Sequence, residues 1–191
     1  MNTRTAAPPQ VHRASRATRD GTAAQLFPTK NDLSTSIRTQ VSGLLNQRLA
    51  DCIDLQTQCK QAHWNVKGPS FIGLHKLFDE INEDVEEYVD LLAERIIQLG
   101  GVAEGTARMV ASRSSLEEYP SQVTSGEDHV DALSSALAMF GNSTRTVIED
   151  IDQLGDPATA DILTEITRGV DKWLWFVEAH LQAGRTPTAQ R

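Results

Sequence analysis

The residues best equipped for chemistry lie between positions 63 and 94: His63, His75, Asp79, Asp90 and Glu94. His75 and Asp79 are four apart, as are Asp90 and Glu94. On a helix that spacing sets each pair on adjacent turns of one face, where both side chains can reach a single ion. Imidazole mixed with carboxylate suits ferrous iron, zinc or manganese better than calcium or magnesium, which favour oxygen-only shells. So few ligands per ion leave positions open for an oxidant.

Within one helix the two pairs cannot share an ion. Asp79 and Asp90 are eleven residues apart, or about 16 Å along an axis that rises about 1.5 Å per residue, whereas metal–ligand bonds are about 2 Å long. A second copy of the helix, lying antiparallel across a twofold axis near Val85, reunites them. The His75/Asp79 end of one chain then meets the Asp90/Glu94 end of the other, and an isologous contact makes two such sites. Ile72, Ala93 and Ile97 share that outward sector, so the pattern predicts a metal site buried between subunits.

The element that carries these groups reads as one amphipathic helix with Phe71, Leu74, Phe78, Ile81, Val85, Tyr88, Leu92, Ile96 and Leu99 as its core stripe. A helix from Asp32 or Ser34 to about Trp64 precedes it, with His63 at its end. The turn N-V-K-G-P-S is short, with Ser70 available as a cap, so the two helices run antiparallel and His63 can join His75 and Asp79. Gly100-Gly101 closes the second helix. Residues 102 to 124 form a long connection with room for a short helix before Tyr119-Pro120. A third helix is expected from about Glu127 to Leu154, stopped by Gly155. Asp156-Pro157 restarts a fourth, which ends at Gly184.

Four helices with a long crossover between the second and third describe an all-α, ferritin-like bundle over residues 31 to 184, with a short tail from 185 to 191. Di-iron bundles place Glu-x-x-His on two helices facing the core. That motif is absent from this chain, so an internal di-iron site has no support and the outward site gains weight.

A chain of 191 residues, 39% hydrophobic but only 5% aromatic, points to one domain stabilised by aliphatic helix packing. Apolar runs of membrane-spanning length and a secretory leader are both lacking. Cys52 and Cys59, seven apart on the apolar side of the first helix, lie about 10 Å from each other, too far for a disulfide. They read as reduced core thiols of a reducing, cytoplasmic compartment.

Charge is unevenly distributed. Residues 1 to 30 carry Arg4, Arg13, Arg16, Arg19 and Lys30 against Asp20, a net of +4, which from a total of −8 leaves −12 for the rest. This segment, rich in Ala, Thr, Arg and Pro, is expected to be disordered. An arm contacting nucleic-acid phosphates, a solvated tail and an organelle transit peptide all fit its composition. The isolated His12, His129 and His180 are not expected to bind metal.

The stretch from Lys60 to Gly101, with Q-A-H-W-N, the spaced His and Asp, and A-E-R-I-I-Q-L-G-G, resembles the Dps family of mini-ferritins, the DNA-binding proteins from starved cells. D-K-W-L-W-F-V-E in the last helix is a second match, and the similarity runs from about residue 34 to 182. The resemblance implies a hollow homododecamer that oxidises ferrous iron, preferentially with hydrogen peroxide but also with oxygen, and stores ferric oxide. Zinc and manganese would be competitors. It implies a ferroxidase centre at the twofold interface, with His63, His75 and Asp79 from one subunit, Asp90 and Glu94 from the other, and Trp64 beside it. It places an acidic threefold pore at Asp156, Asp161 and Glu165, although Asp156 equally suits a helix cap. DNA contact through Arg4, Arg13, Arg16, Arg19 and Lys30, and a nucleoid-associated location, follow from the same likeness. The alternative is a structural, non-specific DNA-binding protein with residual metal binding.

Overall fold

The computed structural model describes residues 26–182, which form five helices. They are α1 (Thr35–Asn65), α2 (Phe71–Gln98), α3 (Ala107–Arg113), α4 (Gly126–Leu154) and α5 (Pro157–Gln182). Among the described residues the only strand-like feature is a single bridge between Lys67 and Ser125. No described helix is long and apolar enough to cross a membrane.

Local chemistry sets the helix ends. Ser34 Oγ accepts the Ile37 N–H at the start of α1, satisfying one of the donors that a first helical turn leaves free. Ser125 does the same for α4, accepting from Asp128 N at 3.1 Å while its hydroxyl donates to the Asp128 carboxylate. That cap starts α4 one residue before the expected Glu127. Ser70 differs from expectation: it precedes α2, but its side chain makes no capping hydrogen bond. Gly68, at φ +108°, supplies the reversal instead, and its carbonyl accepts the Phe71 N–H. Gly155 ends α4 in the left-handed conformation.

The antiparallel pairs α1/α2 and α4/α5 pack into one bundle through α1–α4 and α2–α5 contacts. One apolar core runs through it, with Leu45, Leu55, Phe78, Leu92, Phe140 and Val170 inaccessible to solvent. Phe71, expected in this core, is 43% exposed, because the stripe begins one turn later at Leu74. Cys52 and Cys59 are free and buried, and burial pushes both thiols up, which keeps them protonated.

The crossover between α2 and α4 is fastened to α1. Asp51, which is fully buried, accepts the Ser115 N–H at 2.6 Å and pairs with Arg48. Gln58 donates to the Glu117 carbonyl. At the opposite end the Phe27 N–H donates to the Gly100 carbonyl at 2.7 Å. Gly100 has φ +81°, and a Cβ there would lie 2.4 Å from the Phe27 carbonyl oxygen. Contact with the bundle therefore begins before residue 31.

Candidate metal centre

The short turn after α1 returns the chain so that the last turn of α1 lies against the first turns of α2. His63 Nδ1 is 2.7 Å from the His75 carbonyl oxygen, and His75 Nδ1 is 2.7 Å from the His63 carbonyl oxygen. A carbonyl only accepts, so each Nδ1 carries the proton and donates it. In the neutral ring this leaves Nε2 with the lone pair through which imidazole binds a metal. The rings are stacked with centroids 3.7 Å apart, and Phe71 leans on His75 at 5.1 Å.

Asp79 lies one turn further along α2, with a carboxylate oxygen 3.9 Å from His63 Nδ1. His63, His75 and Asp79 are thus brought together by one chain. Lys60, one turn before His63 on α1, donates to the Asp79 carboxylate. That hydrogen bond is the largest influence holding the Asp79 carboxyl below its usual range; burial opposes it, and the charge of Lys60, together with that of either imidazole when protonated, adds to it.

Asp90 and Glu94 are exposed on α2 and are not gathered with the histidines in one chain. This is the separation that helix rise requires. Among the described residues, no group of three or more His, Cys, Asp or Glu side chains, His63, His75 and Asp79 included, is placed to hold a metal ion within the monomer. Large apolar side chains are exposed at the end of α1 and at both ends of α2: Trp64 is 69% exposed, Ile72 60% and Ile97 57%. Trp64 is consequently not a core residue.

The three carboxylates expected at a pore part company. Asp161 and Glu165 are exposed on the first turns of α5. Asp156 is buried: both its oxygens accept from Arg95 Nη2, at 2.8 and 3.0 Å, and it caps α5 by accepting the Thr159 N–H. Burial is the largest influence on its carboxyl and pushes the pKa up. Hydrogen bonds from Thr159 and Arg95 outweigh it, and the group titrates below its usual range. Of the expected DNA contacts, Lys30 is exposed, while Arg4, Arg13, Arg16 and Arg19 lie outside the described residues.

Lys60 was not anticipated as part of the site. Its signal was its position one turn before His63 at the end of an antiparallel helix, opposite Asp79. His129 is fully buried, with Tyr119 Oη 2.6 Å from its Nδ1, and His180 is exposed on α5.

A family model described as a ferritin-like domain matches residues 43–186. Fold and family match together define a ferritin-like protein. The DNA protection during starvation protein of Agrobacterium fabrum is 46% identical over 154 residues, covering 81% of this chain and 95% of the relative. That of Brevibacillus brevis is 34% identical over 153 residues, covering 78% and 100%. Among solved structures, the tetragonal form of Mycobacterium smegmatis Dps superposes with a TM-score of 0.79 at 34% identity, over 85% of this chain and 99% of that one. DpsA14 from Streptomyces coelicolor does so at 0.80 and 31%, over 87% and 100%. The chain belongs to the Dps family.

Proposed function

We propose that this protein is a Dps-type mini-ferritin that oxidises ferrous iron at centres shared between twofold-related subunits of a hollow dodecamer and retains the ferric product inside. The observation that carries the reading is the reciprocal locking of His63 and His75 beside Asp79, which presets two imidazole ligands and an ionised carboxylate before any ion arrives. Asp90 and Glu94 of a second subunit complete the set, and the exposed Trp64, Ile72 and Ile97 bury against that subunit.

Iron is the substrate. One peroxide takes an electron from each of two ferrous ions and two protons from solvent, leaving two ferric ions and two waters. Using iron and peroxide together keeps them from generating hydroxyl radical, which is how such a centre protects DNA. Oxygen is the alternative oxidant, and zinc and manganese compete for the same imidazole and carboxylate donors. Entry through an acidic pore falls to Asp161 and Glu165, since the Asp156 carboxylate is committed to Arg95 and the α5 cap. The net +4 arm gives the particle a weak, multivalent hold on DNA phosphates.

The test is an anaerobic ferrous titration of the sized oligomer, followed by a peroxide addition while ferric absorbance is recorded. Saturable uptake and a rapid rise, both lost in H63A/H75A with assembly intact, are expected. Absence of saturable binding in the wild type would sink the proposal and leave the structural DNA-packing reading.

A further inference from the structure

Lys60 presents a puzzle for any metal that binds Asp79: its ammonium already occupies the carboxylate that the ion needs. Lys60 holds one oxygen, Oδ1; a metal ion on the same carboxylate repels the ammonium, and a displaced ammonium needs somewhere to go. A cavity of about 1140 Å³ opens beside it, and its walls include Lys60, Trp64, Asn82 and Glu86. Asn82 is 4% exposed, and its side-chain oxygen is buried with no hydrogen-bond donor. Buried amide oxygens almost always have a donor, so this one is an acceptor in want of a partner.

Its position matches the need. Asp79, Asn82 and Glu86 follow one another at three- and four-residue steps along one face of α2. Asn82 is therefore only about 4.5 Å along the helix axis from Asp79, within the sweep of a four-carbon lysine side chain. Glu86, one turn beyond Asn82, lines the same cavity.

We propose that Asn82, backed by Glu86, is the second seat of the Lys60 ammonium: a metal ion arriving at Asp79 drives Lys60 across to Asn82, and the return of Lys60 helps expel the ion. Asn82 is then a positioning residue that eases metal entry by hosting the displaced ammonium, while Lys60 itself opposes tight holding. This rests on the metal centre proposed above.

The closing experiment is calorimetric titration of the assembled full-length protein with zinc, a redox-inert probe, in wild type, K60Q, N82L and K60Q/N82L, with N82D as a further variant. Removing the competing ammonium in K60Q should tighten zinc binding roughly tenfold. Removing the seat in N82L should weaken it about threefold or more, and N82D, a stronger seat, should tighten it. In the K60Q background N82L should have no effect. An unchanged affinity in K60Q, or an N82L effect of equal size with and without Lys60, would overturn the inference while leaving the centre intact. No zinc binding by the assembled wild type would overturn both. Should N82L fail to assemble, the N82D change measured with and without Lys60 decides the matter, since only an effect requiring Lys60 supports the seat.

Discussion

His63 and His75 each donate Nδ1–H to the other's backbone carbonyl, so the main chain at each position fixes the plane and tautomer of an imidazole twelve residues away, and the two rings stack. Alanine at either position keeps that carbonyl, so what couples the two rings is their stack. Loss of either side chain removes one ligand and frees the partner from its stack. H63A and H75A are each expected to weaken zinc binding by about 100-fold or more, and the double variant to add much less than the product of the two. Calorimetric titration of the assembled variants measures this, and strictly multiplicative losses would contradict the coupling.

The Arg95–Asp156 pair links α2 to the start of α5 and is shielded from solvent on both sides. Replacing Arg95 by Met leaves a buried carboxylate without its cation, and breaking such pairs costs about 3–5 kcal/mol. R95M should therefore lower the thermal midpoint markedly. An exposed pair such as Arg145–Asp171, broken by R145M, should change it little.

Those two pairs also mark what could be read from the sequence. Helix ends were legible because caps and breakers act locally: Ser34, Gly100 and Pro157 announce themselves by residue type. The spacing of His75, Asp79, Asp90 and Glu94 likewise follows from the rise of a single helix. Contacts between helices were not legible in the same way. Asp156 reads equally as a pore acid or a cap until Arg95, 61 positions away, is seen to hold both its oxygens. The pairing of Lys60 with Asp79 depends on how α1 and α2 register against each other, which periodicity within either helix does not report. Phe71 continues the apolar stripe on paper, yet it falls in the first turn beyond the core and packs on His75.

His129 predicts an acid-sensitive fold. Burial is the chief cause of its lowered pKa and Lys67 adds to it, while the Asn65 backbone and Asp128 oppose. The folded protein therefore prefers the neutral ring, whereas the unfolded chain takes up a proton near pH 6.5. Its contribution to stability is fully present above about pH 6.5 and is lost as pH falls below that value toward the lower folded pKa. Urea denaturation between pH 7.5 and 5 should show declining stability in the wild type and a shallower decline in H129Q.

DNA retention should depend on the arm. Deleting residues 1 to 24 removes four arginines and spares the Phe27–Gly100 contact. Gel retardation of linear DNA at low salt should be lost in the truncated particle. In the full-length particle it should fall steeply as salt rises, because counterion release drives such binding. Retardation that survives truncation would remove the arm from the account.

The most direct test of a centre shared between subunits is complementation. Subunits lacking the first half of the site (H63A/H75A) and subunits lacking the second (D90A/E94A) are each expected to assemble without rapid ferrous oxidation. When the two are dissociated, mixed and reassembled, random pairing across twofold axes should rebuild intact sites at roughly a quarter of the wild-type number. Recovery of peroxide-driven oxidation to about that level is the predicted result. A mixed particle as inactive as its parents, with mixing verified by mass, would contradict the shared centre.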